Sequence, residues 1–250
     1  MASRPVLLVT GGSQGIGAAT ARLAAARGYA VGLSYLSARD KAQALVDEIT
    51  AAGGTAVAVQ ADTANEASIV ALFAAVDEAL GRVSAVVNNA GVTGPVATLD
   101  RVTGTILDDV MGPNVRGAFL VVREAARRMA TDLGGHGGAI VNGSSRASEL
   151  GGGGEWVHYA ASKGAVDTLT LGAARELAAR GIRVNAVNPG LIDTELHAKA
   201  GMPDRVHRLS AGVPQGRPGT AEEVAKVILW LLSDEASYVN GALVPVSGGR

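Results

Sequence analysis

Short runs of consecutive apolar residues alternate along this chain with longer segments in which apolar residues recur every three or four positions. The short runs, rich in Val, Leu and Ile, fall at 6–9, 30–34, 55–60, 85–88, 139–142, 183–188 and 243–246. Continuous apolarity is what strands covered on both faces show, as in a parallel sheet. Between them, GAATARLAAARG, DKAQALVDEITAAGG and NEASIVALFAAVDEALG carry the helical period, and each ends on glycine, a common helix terminator. Strand and helix thus alternate through six β-α-β units, which predicts one parallel sheet with helices on both faces. The long stretch without a pattern is 191–219, with three prolines; a segment of that kind in a compact domain is often a lid over a site.

Composition narrows the chemistry. At 250 residues, 48% of them hydrophobic, the chain can bury a core as one domain, 1–250. With only 3% aromatic residues, that core must be built from Val, Leu, Ile and Ala. A net charge of −1 provides no general attraction to nucleic acid or anionic lipid. No apolar run approaches the ~18 residues of a membrane span, and MASRPVLLVT runs straight into a glycine turn as a first strand does. The expectation is a soluble, cytoplasmic protein acting on a small molecule, with no nucleic-acid or membrane partner. The absence of cysteine removes thiolate and Cys-zinc chemistry, and the scatter of His136, His158, His197 and His207 argues against a metal site. The REAARRM run from Arg123 reads as a solvated or subunit-facing helix.

Three stretches carry chemistry. In VTGGSQGIGAATARL, Gly11, Gly15 and Gly17 follow the first strand and open a helix, with Ser13, Gln14 and Ile16 among them. Backbone N–H groups there can face a phosphate with no side chain in the way. Asn88-Asn89-Ala90-Gly91 ends the fourth strand on the same edge; the Asn88 amide can meet the ligand or simply tie neighbouring strands together, and Asn89 is the better ligand contact. In HYAASKGAV, Tyr159 and Lys163 stand four apart, hence on one helical face about 6 Å from each other along the axis. A nearby ammonium lowers a phenol pKa from its usual value of about 10, which makes Tyr159 a general acid/base. A serine from the Ser144-Ser145 pair can hydrogen-bond the same oxygen.

Together these residues resemble the short-chain dehydrogenase/reductase family, in its 3-oxoacyl-reductase-like or sugar-dehydrogenase-like branches, from Thr10 to the closing VPVSGGR. The matching motifs are TGGSQGIG at 10–17, Asp62-Thr63, NNAG at 88–91, Asn114, Ser145, YAASK at 159–163 and NPGLIDT at 188–194. The resemblance implies a single-domain, Rossmann-type, doubly wound seven-stranded sheet, and reversible hydride transfer between a nicotinamide dinucleotide and a carbonyl or alcohol. In that reading Tyr159 transfers the proton, Lys163 holds the ribose hydroxyls and lowers the tyrosine pKa, and Ser145 orients the substrate oxygen. Asn114 supports a water linking Lys163 to solvent. Pro189, Gly190 and Ile192 to Thr194 line the carboxamide, Asp62 and Thr63 the adenine, and Asn89, Ala90 and Gly91 the adenosine ribose. An S-adenosylmethionine-dependent methyltransferase or a non-catalytic dinucleotide sensor would also use a glycine turn, but neither needs the serine, tyrosine and lysine.

Some positions depart from the family pattern. Ser145 precedes Tyr159 by fourteen residues where thirteen is usual, leaving Ser144 as the alternative. Pro113 is unusual beside Asn114, where it removes a backbone donor and helps kink the helix. His158 points about 100° away from Tyr159 round the helix and reads as a loop or interface residue. At the end of the second strand, where NAD-binding sites place an acid about 20 residues after the glycine turn, this chain has Tyr35. Ser34, Ser37 and Arg39 offer hydroxyls and a guanidinium to a 2′-phosphate, predicting NADP(H) over NAD(H), although Gln14 supplies no second cation in the glycine turn. Substrate walls are expected from 93–96, 147–157 and 191–212, with contributions from Arg146 and His197; a 3-oxoacyl thioester, a sugar or another small ketone or alcohol all fit. The helix at 156–180, with Gly164, Val166, Leu169 and Gly172, and the segment 216–250 predict two-fold contacts in a homotetramer.

Overall fold

The computed structural model describes residues 4–250; the first three residues of the expected opening strand segment, and the side chain of His197, lie outside the described residues. In chain order the elements are β1 (Val6–Val9), α1 (Gly15–Ala26), β2 (Ala30–Tyr35), α2 (Arg39–Ala51), β3 (Thr55–Gln60), α3 (Glu66–Leu80) and β4 (Ala85–Asn88). There follow α4 (Gly104–Met111), a π-helical turn (Gly112–Gly117), α5 (Ala118–Met129), β5 (Gly138–Gly143), α6 (Ala147–Leu150), α7 (Val157–Leu177) and β6 (Ile182–Pro189). The chain closes with α8 (Leu196–Lys199), α9 (Arg205–Ser210), α10 (Ala221–Leu232) and β7 (Leu243–Val246). The seven strands form one parallel sheet in the order 3-2-1-4-5-6-7, with Leu8 beside Gly32 on one flank and Val86 on the other.

Alternation along each strand feeds two cores. From β1, Val6 and Leu8 point to the face covered by α3, α5 and α7, where Phe73, Val76, Met129 and Val166 pack. Leu7 and Val9 point to the face covered by α1, α2 and α10, among Ala21, Leu45, Ile228 and Leu229. Both faces exclude water over most of the sheet, so the strands are apolar at most positions, as their sequences foretell. Side-chain caps start several helices: Asn65 accepts from Ser68 N at 3.1 Å, and Thr220 and Glu223 form a reciprocal capping box before α10. No helix among the described residues is long and apolar enough to cross a membrane.

The arginine run on α5, expected to be solvated or subunit-facing, is tied into ion pairs within the chain. Glu124 is buried, and Arg127 and Arg128 reach its carboxylate at 2.9 and 2.8 Å. Arg128 also pairs with Asp77 of α3 at 2.6 Å and lies over the Phe73 ring, while Arg123 reaches Glu66 at 2.7 Å. Burial pushes the Glu124 carboxyl up, but Arg128, Arg123 and Arg127 outweigh it and hold the group below the usual carboxylate range. The run therefore stitches α5 to α3.

Candidate active site

Strand order reverses between β1 and β4, and the chain leaves these two strands in opposite directions, opening a crevice at their carboxyl ends. The glycine turn fills one side of it. Gly11 and Gly15 have φ of 62° and 55°, and a Cβ on Gly17 would lie 2.4 Å from Gly11 O, so glycine is required for α1 to start this close to the turn. Asn89 Nδ2 donates to the carbonyls of Thr10 and Gly11, both at 3.1 Å, and Thr10 Oγ1 accepts from Asn89 N and Ala90 N. The first turn of α1 has no side-chain cap at Gln14, which leaves its N–H groups directed at the crevice. Asn88 does tie elements together: its amide donates to Ala118 O and Asn142 Oδ1.

Across the crevice, Tyr159 and Lys163 share one face of α7, with the ammonium 5.6 Å from the centre of the phenol ring. The two serines after β5 face different ways. Ser144 is buried and donates to Lys163 O at 3.2 Å, whereas Ser145 lines the cavity with Tyr159, accepts from Ala147 N at 3.1 Å and acts to lower the Tyr159 pKa. The electrostatics correct the sequence expectation. Burial raises the Tyr159 pKa above its usual value and outweighs the lowering by Ser145 and by the charge of Arg205. Lys163 is itself lowered to about 8 by burial, against the pull of Asp167, and it donates to Gly143 O at 2.7 Å.

Asn114 sits in the π-helical turn, completely buried, and Pro113 occupies its first turn, where a missing N–H costs least. Its amide donates to Val92 O at 2.8 Å and Ser162 Oγ at 2.9 Å, and its carbonyl accepts from Val92 N. It thus joins the segment after β4 to the helix carrying Tyr159 and Lys163. His158 is no loop or interface residue: it is 3% exposed, with Nε2 3.1 Å from Thr93 O, and so pins the same segment from the other side. The sequence could not place it because the partner is a backbone carbonyl far away in the chain.

Gly11, Gln14, Gly15, Ile16, Asn89, Ala90, Gly91, Ser145, Tyr159, Lys163, Pro189, Gly190, Ile192 and Thr194 all line one cavity of about 420 Å³. Ser13, Gly17, Tyr35, Arg39, Asp62, Thr63 and Asn114 are not among its lining residues. Asp62 accepts from Ala64 N at 2.8 Å, and Thr63 is buried against Gly117, where a Cβ would meet Thr63 O at 2.3 Å. Ser34 is a correction: it is 1% exposed, and its hydroxyl accepts from Gly11 N at 3.1 Å, so it braces the glycine turn and offers nothing to a phosphate. Arg39 is exposed at the start of α2, with no ion-pair partner among the described residues.

The far end of the cavity is walled by 150–156 and by the 191–219 segment, whose ends are pinned together by Asp193 N to Gly219 O and Gly219 N to Leu191 O, both at 2.9 Å. Within that segment lie α8 and α9. Arg205 on α9 was not singled out from sequence, yet it lines the cavity, stacks 4.8 Å from the Trp156 ring centre and pairs with Glu155 at 2.8 Å. A lone arginine in an irregular stretch carries no signal until α9 folds back over the 150–156 loop. Arg146 also lines the cavity, with its guanidinium held by Arg250 O and Glu149. Among the described residues, no group of three or more His, Cys, Asp or Glu is placed to hold a metal ion.

Comparison with known proteins agrees with this geometry. A family model described as enoyl-(acyl carrier protein) reductase matches residues 11–250. An uncharacterized oxidoreductase of Escherichia coli K12, YgfF, is 51% identical over 245 residues, covering 98% of this chain and 99% of that protein. Among solved structures, a blue fluorescent protein from a metagenomic library, in complex with NADPH, superposes with a TM-score of 0.89 at 37% identity, covering 99% of this chain and 98% of that one. A 3-ketoacyl-(acyl-carrier-protein) reductase from Brucella melitensis, complexed with NADH, gives 0.91 at 29% identity, covering 100% and 99%.

Proposed function

Since the chain belongs to the short-chain dehydrogenase/reductase family of oxidoreductases, we propose that it transfers a hydride between NADP(H) and a carbonyl or alcohol substrate, with Tyr159 as the proton-transferring residue. The observation that carries this reading is that Ser145, Tyr159 and Lys163 line one cavity, with the Lys163 ammonium 5.6 Å from the centre of the Tyr159 ring on the same helical face. The residues present fit a nicotinamide dinucleotide: an uncapped helix start behind two positive-φ glycines, and a cavity running from Gln14 to Gly190. When bound, the nicotinamide supplies the hydride.

The chain's own groups do the rest. Ser145 donates to the substrate oxygen and fixes it beside Tyr159, whose burial keeps the phenol protonated at neutral pH and so poised to give its proton as a carbonyl is reduced. Lys163, anchored on Gly143 O, presents its remaining N–H donors to ribose hydroxyls. Asn114 and His158 hold the 92–94 segment that closes the site beside the nicotinamide end. Arg39, exposed and unpaired at the N-terminus of α2, is the group that favours a 2′-phosphate, and no carboxylate stands at Tyr35 to repel one. The substrate is a small ketone or alcohol, and the active form a homotetramer.

Steady-state kinetics across a panel of carbonyl compounds, with NADPH and NADH in parallel, test the proposal. A higher catalytic efficiency with NADPH is expected; equal or better efficiency with NADH would refute the preference, and no turnover on any carbonyl would refute the activity. If NADPH wins and Arg39→Ala leaves the ratio unchanged, Arg39 is not its cause.

A further inference from the structure

The lid meets the adenosine side of the cavity through charge. Lys41 on α2 donates to both carboxylate oxygens of Glu195, just before α8, at 2.7 Å each. Lys199, at the other end of α8, donates to Gln14 Oε1 in the glycine turn and lies 3.8 Å from Glu195 Oε2. The hydrogen bond from Lys41 is the main reason that the Glu195 carboxyl is held below its usual range. One carboxylate therefore gathers two ammonium groups beside Gln14, and Glu195 and Gln14 both line the cavity. Arg39 stands two residues before Lys41 in the first turn of the same helix, so the two side chains leave it on different faces. The side chains of Lys41, Glu195 and Lys199 are each about half exposed, at 52%, 55% and 52%, so their pairings are weak and exchangeable. A phosphate dianion offers three acceptor oxygens where Glu195 offers two and carries one charge, and it competes well for such a set.

We infer that Lys41 and Lys199 join Arg39 to receive the 2′-phosphate of NADP(H), and that Glu195 is the internal carboxylate this phosphate displaces. The inference rests on the NADP(H) reading above and goes beyond it in its residues. The second cation missing at Gln14 is supplied by the lid, from a position 185 residues later in the chain. Cofactor choice and lid position are thereby one equilibrium, because the lysine that selects the phosphate is carried by the element that covers it.

Calorimetric titration of the whole protein with NADPH and with NADH separates the contributions. Lys41→Ala and Lys199→Ala are each expected to weaken NADPH about 5- to 20-fold while NADH changes less than about 2-fold, the scale of one charge-assisted hydrogen bond. Glu195→Gln is expected to tighten NADPH about 3-fold or more, since the competing carboxylate is gone. Equal losses for both cofactors in the lysine variants would place the lysines on the shared pyrophosphate and overturn the inference. A wild-type preference for NADPH that neither lysine variant alters would leave the cofactor reading standing and sink this one. Wild-type protein that binds NADH as tightly as NADPH would sink both. Unchanged NADPH affinity in Glu195→Gln would overturn the displacement.

Discussion

The ammonium of Lys163 donates to the carbonyl of Gly143 at 2.7 Å, joining the helix that carries Tyr159 to the strand that ends one residue before the serine pair. Burial holds this lysine at about 8, whereas the unfolded chain keeps its proton to about 10.5. Between those values the unfolded state binds more protons, so stability rises with pH across that window; below it the folded protein bears the full cost of a buried charge. Lys163→Met is therefore expected to stabilise the protein at pH 7 by roughly 1–3 kcal/mol, after subtracting the lost hydrogen bond, with the gain fading as pH rises from about 8 to about 10.5. Activity and cofactor affinity should both fall. Urea unfolding at pH 7 and pH 10 measures it, and a variant less stable than wild type at pH 7 would mean that the Gly143 contact outweighs burial.

Tyr159→Phe keeps the ring and removes the proton. Turnover should drop by at least ~100-fold with an unchanged circular dichroism spectrum. A variant that retains most of its activity would discard the tyrosine mechanism.

The charge of Arg205 lowers the Tyr159 pKa against the larger effect of burial. Alcohol oxidation needs the phenolate, so its rate should climb with pH, and Arg205→Met should move that rise to higher pH. A pH–rate profile in the oxidative direction checks the sign; a shift to lower pH, or none, would show that Arg205 does not act on the phenol.

Ser144 and Ser145 separate by role. Ser145→Ala should cost turnover with little loss of stability, because its hydroxyl faces Tyr159. Ser144→Ala should cost about 1 kcal/mol of stability, the value of one buried hydrogen bond to Lys163 O, with turnover largely kept. Swapped outcomes would reassign the pair.

Glu124 is encircled by arginines from its own helix. Glu124→Gln leaves Arg128, whose side chain is only 16% exposed, with Asp77 as its one carboxylate partner among the described residues. The expected loss is about 2–4 kcal/mol, read from the denaturation midpoint.

All seven strands were legible because a strand covered on both faces must be apolar at nearly every position, and that leaves an unambiguous run. Tyr159, Lys163 and the glycine turn were legible because their spacing is local: four residues on a helix, or a turn between strand and helix. What escaped was set by pleat and by long-range approach. Ser34 reads as a ligand donor until the pleat of β2 turns its hydroxyl toward Gly11 N. His158 reads as a loop or interface residue until Thr93 O arrives from the segment after β4. Arg205 and Lys199 lie in a stretch with no periodicity, so nothing in the chain says which side of the cavity they will meet. The Tyr159 pKa depends on the same kind of information: the i, i+4 neighbour is visible in the chain, and the depth of burial that raises the pKa is not.

The π-helical turn between α4 and α5 has one further consequence. Its hydrogen bonds skip five residues where an α-helix skips four, so the turn accommodates one residue more, worth about 100° of rotation. The two flanking helices are therefore out of phase, and each can present its own best face: α4 toward α7, α5 toward α3 and the sheet. Deleting one residue from 112–117 would bring them back into phase as a regular helix. Whichever neighbour that helix then kept, Asn114 would swing away from Val92, so the irregular turn works as a phase shifter that lets one long helical segment serve two partners.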